Sequence, residues 1–158
     1  MSKYGLRALE ACFEGIADIT TVVHICCGYP IEGCGKANAD SYTHLAPMIA
    51  NSKIDQISIE GTHRRLDPVV LQRFGNKGVI FGVVNVGDSR IETVEEIEAR
   101  INQVLDHVGP DRLAVGPDRG MVFLDPELAK AKLTNLVESA RRVREGLDKS
   151  ADQVLPQS

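Results

Sequence analysis

The sequence predicts an α/β fold on a parallel sheet, and three observations predict it. An opening helical segment is followed by four β-loop-α units of about 30 to 40 residues each, the grammar of a parallel sheet with crossover helices. The most apolar strand segment, Val79-Ile80-Phe81-Gly82-Val83-Val84-Asn85-Val86, is nearly continuous, as in strands covered on both faces. The residues with chemistry to offer all fall at C-terminal ends of strand segments: His24 and Cys26, Glu60, Asn85 and Asp88, then Asp118 and Arg119. Eight-stranded (β/α) barrels and doubly wound sheets both build sites on that edge, so this leaves the two architectures open.

Each element has its own warrant. Leu6, Leu9, Cys12, Phe13 and Ile16 recur at helical spacing, which predicts a helix from Tyr4 to Ile16. Thr21–Cys27 is β-branched and apolar and reads as a buried strand. Gly28 to Asp40, punctuated by Gly28, Pro30, Gly33 and Gly35, reads as a loop. Tyr42, Leu45, Met48 and Ile49 share one face of a helix over Ser41–Ser52, with Asp40 or Ser41 as its cap. Ile54–Glu60 is a second strand and Gly61–Arg65 a polar loop. Asp67-Pro68 opens a helix to Phe74, Pro sitting where its missing N–H costs nothing. Lys77–Val86 is the third strand. Thr93-Val94-Glu95-Glu96 is a capping box for a helix to Val108, stopped by Gly109-Pro110. Arg112–Gly116 is the fourth strand, and a last helix runs from Pro126, capped by Asp125, to about Leu147. Residues 1–149 read as one domain and 150–158 as a disordered tail.

Composition narrows the function classes. The chain has 158 residues, 43% of them hydrophobic and 25% charged, with net charge −4. This is one globular domain or a piece of a larger one. A mildly acidic balance gives no footprint for nucleic acid. No apolar run is long enough for a membrane span, and the first residues open a polar amphipathic helix rather than a leader, so the expected location is cytoplasmic. The four cysteines, Cys12, Cys26, Cys27 and Cys34, lack disulfide-framework spacing and read as reduced thiols.

One stretch organises the rest, Val22-Val23-His24-Ile25-Cys26-Cys27-Gly28. On a strand, residues i and i+2 share a face, so His24 and Cys26 project together. Imidazole and thiolate are two ligands for a soft divalent ion, most plausibly zinc. Cys27 points to the opposite face, and Cys34, in its loop, is a candidate further ligand or a free loop thiol. Glu60 reads as a ligand or as the partner of Arg64, Arg65 or Arg119. Arg119 has two readings: it pairs with Glu60 or Asp118 and fills the metal position, or it binds an anionic substrate group. His63 reads as solvated, and His44 and His107 as structural helix residues.

The chain resembles the catalytic domain of the cobalamin-independent methionine synthase family, in its C-terminal part. The motifs that carry the resemblance are His24-Ile25-Cys26, Ile57-Ser58-Ile59-Glu60, Gly82-Val83-Val84-Asn85-Val86 before Val94-Glu95-Glu96-Ile97-Glu98, Pro117-Asp118-Arg119-Gly120, and Asn135-Leu136-Val137-Glu138-Ser139-Ala140. The resemblance implies a TIM (β/α)8 barrel, of which this chain holds four C-terminal βα units, a half barrel. It implies zinc held by His24, Cys26 and Glu60, and zinc-dependent alkyl (methyl) transfer to a thiol, homocysteine by default, with Asp118 and Arg119 contacting substrate. Two departures stand out. Arg119 takes the place of the family's second cysteine ligand, and about Gly87 the family has a catalytic histidine. The Cys26-Cys27-Gly28-Tyr29-Pro30 stretch resembles a divergent branch that includes epoxyalkane:coenzyme M transferase. The implied partners are a small thiol and an alkyl donor, together with a second copy or an N-terminal half-barrel chain. The competing reading is a non-catalytic fragment or half-barrel subunit.

Overall fold

The computed structural model describes residues 4–26, 40–63 and 66–154. Four strands pair in parallel, in the order β1 (Val22–Ile25), β2 (Gln56–Ile59), β3 (Gly78–Val84) and β4 (Leu113–Pro117). Between them lie α2 (Asp40–Ala50), a 3₁₀ segment (Pro68–Phe74) and α3 (Val94–Leu105). Helix α1 (Gly5–Ala11) precedes the sheet and α4 (Pro126–Val154) comes after it. Strand neighbours in space are neighbours in sequence, as successive βα units of a barrel require. Residues 28–39 of the predicted loop, with Cys34, lie outside the described residues, as do Cys27, Arg64 and Arg65, and Asp40, read as its last residue or a cap, is the first residue of α2.

The sheet has one covered face and one open face. Val23, Ile57, Val79 and Leu113 stand in one register row, and Ile25, Ile59, Phe81 and Val115 in another. These rows meet Tyr42, Ala46 and Ile49 of α2, Val70, Leu71 and Phe74 of the 3₁₀ segment, and Ile97, Ile101 and Val104 of α3. Each such side chain removed from water contributes about 1.5–3 kcal/mol. Among the described residues no helix covers the intervening row, His24, Ser58, Ile80 and Ala114, and its two end members, His24 and Ala114, are exposed. β1 is an edge strand with Val22 also exposed, so the expectation of a fully buried first strand gives way to a half-covered one.

Local chemistry explains the boundaries. α1 stops at Ala11 rather than Ile16, because the chain turns through Cys12–Gly15 and Gly15 takes φ +80°. The capping box at α3 is present, Thr93 accepting from the Glu96 N–H and Glu96 from the Thr93 N–H. α3 ends at Leu105, so His107 lies in the turn beyond it, where it shares a 3.2 Å hydrogen bond with Gln72. The segment after Asp67 is 3₁₀ rather than α, with Asp67 Oδ1 accepting from the Val69 N–H. β3 alternates at its start and is buried at each position from Phe81 to Val84. An irregularity between Gly82 and Val84 sets Gly82 opposite Gly116 and Val84 opposite Pro117, one extra residue on β3. Such bulges re-aim the side chains beyond them, and the next residue along β4 is Asp118.

Candidate functional site

The rim at the C-terminal ends of β2, β3 and β4 is assembled by one carboxylate. Asp118 is fully buried. Its Oδ1 accepts the N–H of Gly61 (2.8 Å) and Thr62 (3.0 Å), and its Oδ2 accepts the N–H of His63 (2.7 Å) and the Thr62 hydroxyl (2.5 Å). Its own N–H donates to the Val84 carbonyl at 2.9 Å. The loop after β2 is thereby fastened across β3 to the end of β4. Two glycines permit this approach. A Cβ on Gly82 would fall on the Asp118 carboxylate, and one on Gly61 would fall on the Phe81 ring and the Gly82 carbonyl. Burial pushes the Asp118 carboxyl above its ordinary range, against the pull of the hydrogen bonds from Thr62 and Gly61. Asp118→Asn would put an amide donor where the loop's N–H groups also donate. It is expected to cost at least about 2 kcal/mol and to speed amide exchange at Gly61, Thr62 and His63, because buried donors lose their acceptor. Unchanged exchange at those three amides would contradict the clamp.

Beside the clamp lies a buried ion pair. The Arg119 Nη2 donates to Glu60 Oε2, with side-chain exposures of 3% and 0%. Of the partners read for Arg119, Glu60 is the one it meets. Asp118 and Arg119, expected to contact substrate, are both turned onto protein groups and buried.

His24 belongs to the same rim. Its Nδ1 shares a 2.9 Å hydrogen bond with Ser58 Oγ, the residue beside it in the register. Lost solvation lowers its pKa below 6.5, with Glu60 and Asp118 pulling upward and Arg119 downward. The folded chain therefore binds this proton less readily than the unfolded chain. The stability linked to His24 is complete above pH 6.5 and is lost as the pH falls from there through the lowered value. Proton NMR should show His24 titrating below 6.5 in the wild type, upward of that position in Arg119→Met and further down in Glu60→Gln. Indifference of His24 to both changes would place it outside the rim's field.

Cys26 is a half-buried free thiol one residue past the last registered pair of β1 and β2, Ile25 and Ile59, and so stands level with Glu60. His63, expected to be solvated, is half-buried. Its ring lies where a side chain on Gly87 would enter, such that a Cβ there would come within 3.1 Å of His63 Nδ1.

A zinc ion here would need His24, Cys26 and Glu60 as converging donors plus a fourth group. Among the described residues no three or more His, Cys, Asp or Glu side chains form a group able to hold a metal. The Glu60 carboxylate is held by a guanidinium, which stays protonated and cannot ligate. As folded, the described residues do not fit a zinc site.

A second buried network has almost no counterpart in the sequence pattern. Lys132 of α4 is fully buried and donates to Glu92 Oε2 (2.7 Å), to the Asn85 carbonyl (3.0 Å) and to the Arg90 carbonyl. Glu92 Oε1 accepts the Asn85 N–H at 2.7 Å, and Asn135 Nδ2 donates to the Glu92 carbonyl at 2.7 Å. This ties the loop after β3 to α4. The only trace of it in the sequence is the Asn135…Ser139 pair, one helical turn apart. Ser139 in turn donates to the Val94 carbonyl at 3.0 Å.

Comparison with known proteins places this geometry. A sequence model of the family described as "Cobalamin-independent synthase, Catalytic domain" matches residues 32–142. A methionine synthase from Pyrococcus furiosus is 36% identical over 110 residues, 69% of this chain and 32% of the relative. One from Saccharolobus islandicus is 31% identical over 154 residues, 96% of this chain and 42% of the relative. The solved structure of a B12-independent methionine synthase from a Shewanella species, in complex with selenomethionine, superposes with a TM-score of 0.79 at 31% identity, covering 91% of this chain and 44% of that one. The chain thus spans less than half the length of these relatives.

Proposed function

The chain belongs to the family of cobalamin-independent synthase catalytic domains, and from that premise we propose that it supplies the C-terminal half of a barrel that transfers a methyl group to a small thiol, with homocysteine as the default acceptor. The observation that carries the reading is the family match over 32–142 together with the rim of His24, Glu60, His63, Asp118 and Arg119 at the strand ends, where barrel sites are built. The relative solved with selenomethionine supports an acceptor of the homocysteine type.

The reaction joins the thiol sulfur to the methyl carbon as the bond from that carbon to the donor breaks. The thiol proton must leave and the donor's leaving atom must gain one. His24, whose pKa is lowered by lost solvation, which favours its neutral form, faces the open side of the sheet and is the group assigned to take the thiol proton. His63, against Gly87, is the group assigned to protonate the leaving atom. Asp118 positions the loop that carries His63. Zinc activation of the thiol, the family expectation with His24, Cys26 and Glu60 as ligands, is not part of this reading, because Arg119 holds Glu60.

The uncovered row of His24 and Ala114 and the two open strand edges favour a unit that works only once four further strands close the barrel, whether from elsewhere in one protein or from a partner chain. No helix among the described residues is long and apolar enough to cross a membrane, and we place the assembly in the cytoplasm. The test is a labelled-methyl assay with homocysteine and an N-methyl donor. It compares the chain alone with the chain assembled on the N-terminal half of the Pyrococcus furiosus relative, assembly being checked by mass in solution. Labelled methionine from the assembled pair only is the expected result. A silent pair would support the non-catalytic reading, and product from coenzyme M with an epoxyalkane instead would move the chain to that branch.

A further inference from the structure

We propose that Arg119 is a resident cation which closes this rim to divalent metal, so that the metal state of the site is decided at this one position. The inference stands apart from the methyl-transfer reading, since it concerns only what the rim binds.

Three donors lie close in the register of this rim. His24 is on the open row of β1, Cys26 follows one residue past that strand, and Glu60 stands level with Cys26 one residue past β2; with Arg119 on Glu60 they do not form a group able to hold a metal. The His24 ring uses Nδ1 toward Ser58, which leaves Nε2 for another partner. Left to themselves, these are an imidazole, a thiol and a carboxylate, a donor set suited to zinc. The guanidinium changes that in two ways. It takes the Glu60 carboxylate as its own counter-ion inside the protein, where the exchange of one cation for another must overcome a pair with 3% and 0% side-chain exposure. Its positive charge also offsets part of the attraction that Glu60 and Asp118 exert on a cation near His24. Arg119 cannot move aside into water without unburying, because Asp118 next to it is anchored by four hydrogen bonds to the loop after β2.

Arg119→Cys should convert the rim. It removes the competing charge from beside Glu60 and adds a fourth donor of the kind zinc takes. The experiment titrates the full 158-residue chain with zinc sulfate against a chromophoric chelator and counts bound metal by native mass spectrometry. It does so for wild type, Arg119→Cys and Arg119→Cys/Cys26→Ser. The expected result is no stoichiometric zinc on the wild type, one zinc on Arg119→Cys with affinity raised at least about 100-fold, and loss of that gain in the double variant. A folded Arg119→Cys chain that binds zinc no better than wild type overturns the proposal. If Arg119→Cys does not fold, the wild type decides: one zinc per chain, lost in both His24→Ala and Cys26→Ser, overturns the proposal, and its absence upholds it.

Discussion

Arg119→Met is expected to destabilise the fold by about 3–5 kcal/mol, the cost typical of removing one partner from a buried ion pair. The Glu60 side chain is 0% exposed and would keep its carboxylate in the interior without the guanidinium. The double change Glu60→Gln/Arg119→Met removes both charges, and buried pairs replaced whole are often neutral. It should therefore recover most of the loss, to within about 1 kcal/mol of wild type. Urea unfolding of the two variants measures both quantities. A single variant costing under about 1 kcal/mol would mean that the pair behaves as a solvated surface bridge.

Lys132→Met is expected to be as costly, about 3–5 kcal/mol, but to respond differently to a compensating change. Lys132 is bound not only to Glu92 but also to the carbonyls of Asn85 and Arg90. Glu92→Gln/Lys132→Met removes the charges of that pair but also the Arg100 contact to Glu92 at 3.8 Å, and leaves two buried carbonyls without their donor, each worth roughly 1–3 kcal/mol. Recovery should be partial here and nearly complete at Arg119. Hydrogen exchange should localise the damage to the loop between β3 and α3, beginning at the Asn85 N–H that Glu92 accepts. Full recovery in the double variant would show that the carbonyl contacts contribute little. By contrast, the Glu138, Arg141, Arg142 and Glu145 cluster on α4 is exposed, and its loss should be nearly silent.

These two pairs also mark what a sequence can and cannot carry. The capping box at Thr93 and Glu96 was legible because its partners are three residues apart and their roles are fixed by helix geometry. The parallel sheet was legible because each unit repeats one grammar, whereas its strand order followed only from the family resemblance, since the grammar also fits a doubly wound sheet. The shared face of His24 and Ser58 comes from strand pairing alone. The Arg119–Glu60 pair was one of two open readings, because its members lie 59 residues apart and only the folded rim decides between them. The Asp118 clamp left no local signal. It depends on Gly82 and Gly61 lacking side chains and on an extra residue in β3, none of which a hydrophobic pattern records. Lys132 was invisible for the same reason, since a lysine on a long amphipathic helix ordinarily faces water. His63 read as solvated, and its place against Gly87 emerges only when two loops after adjacent strands are brought together.

The charge at the rim is neutralised from within, by Arg119 on Glu60, and nitrogen-15 NMR of the arginine guanidinium groups tests this most directly. Slowly exchanging, resolved Nη protons on Arg119 are expected at neutral pH, with the Nη2 protons shifting and exchanging faster in Glu60→Gln. An Arg119 already averaged in the wild type, like the exposed arginines of α4, would contradict the internal pairing.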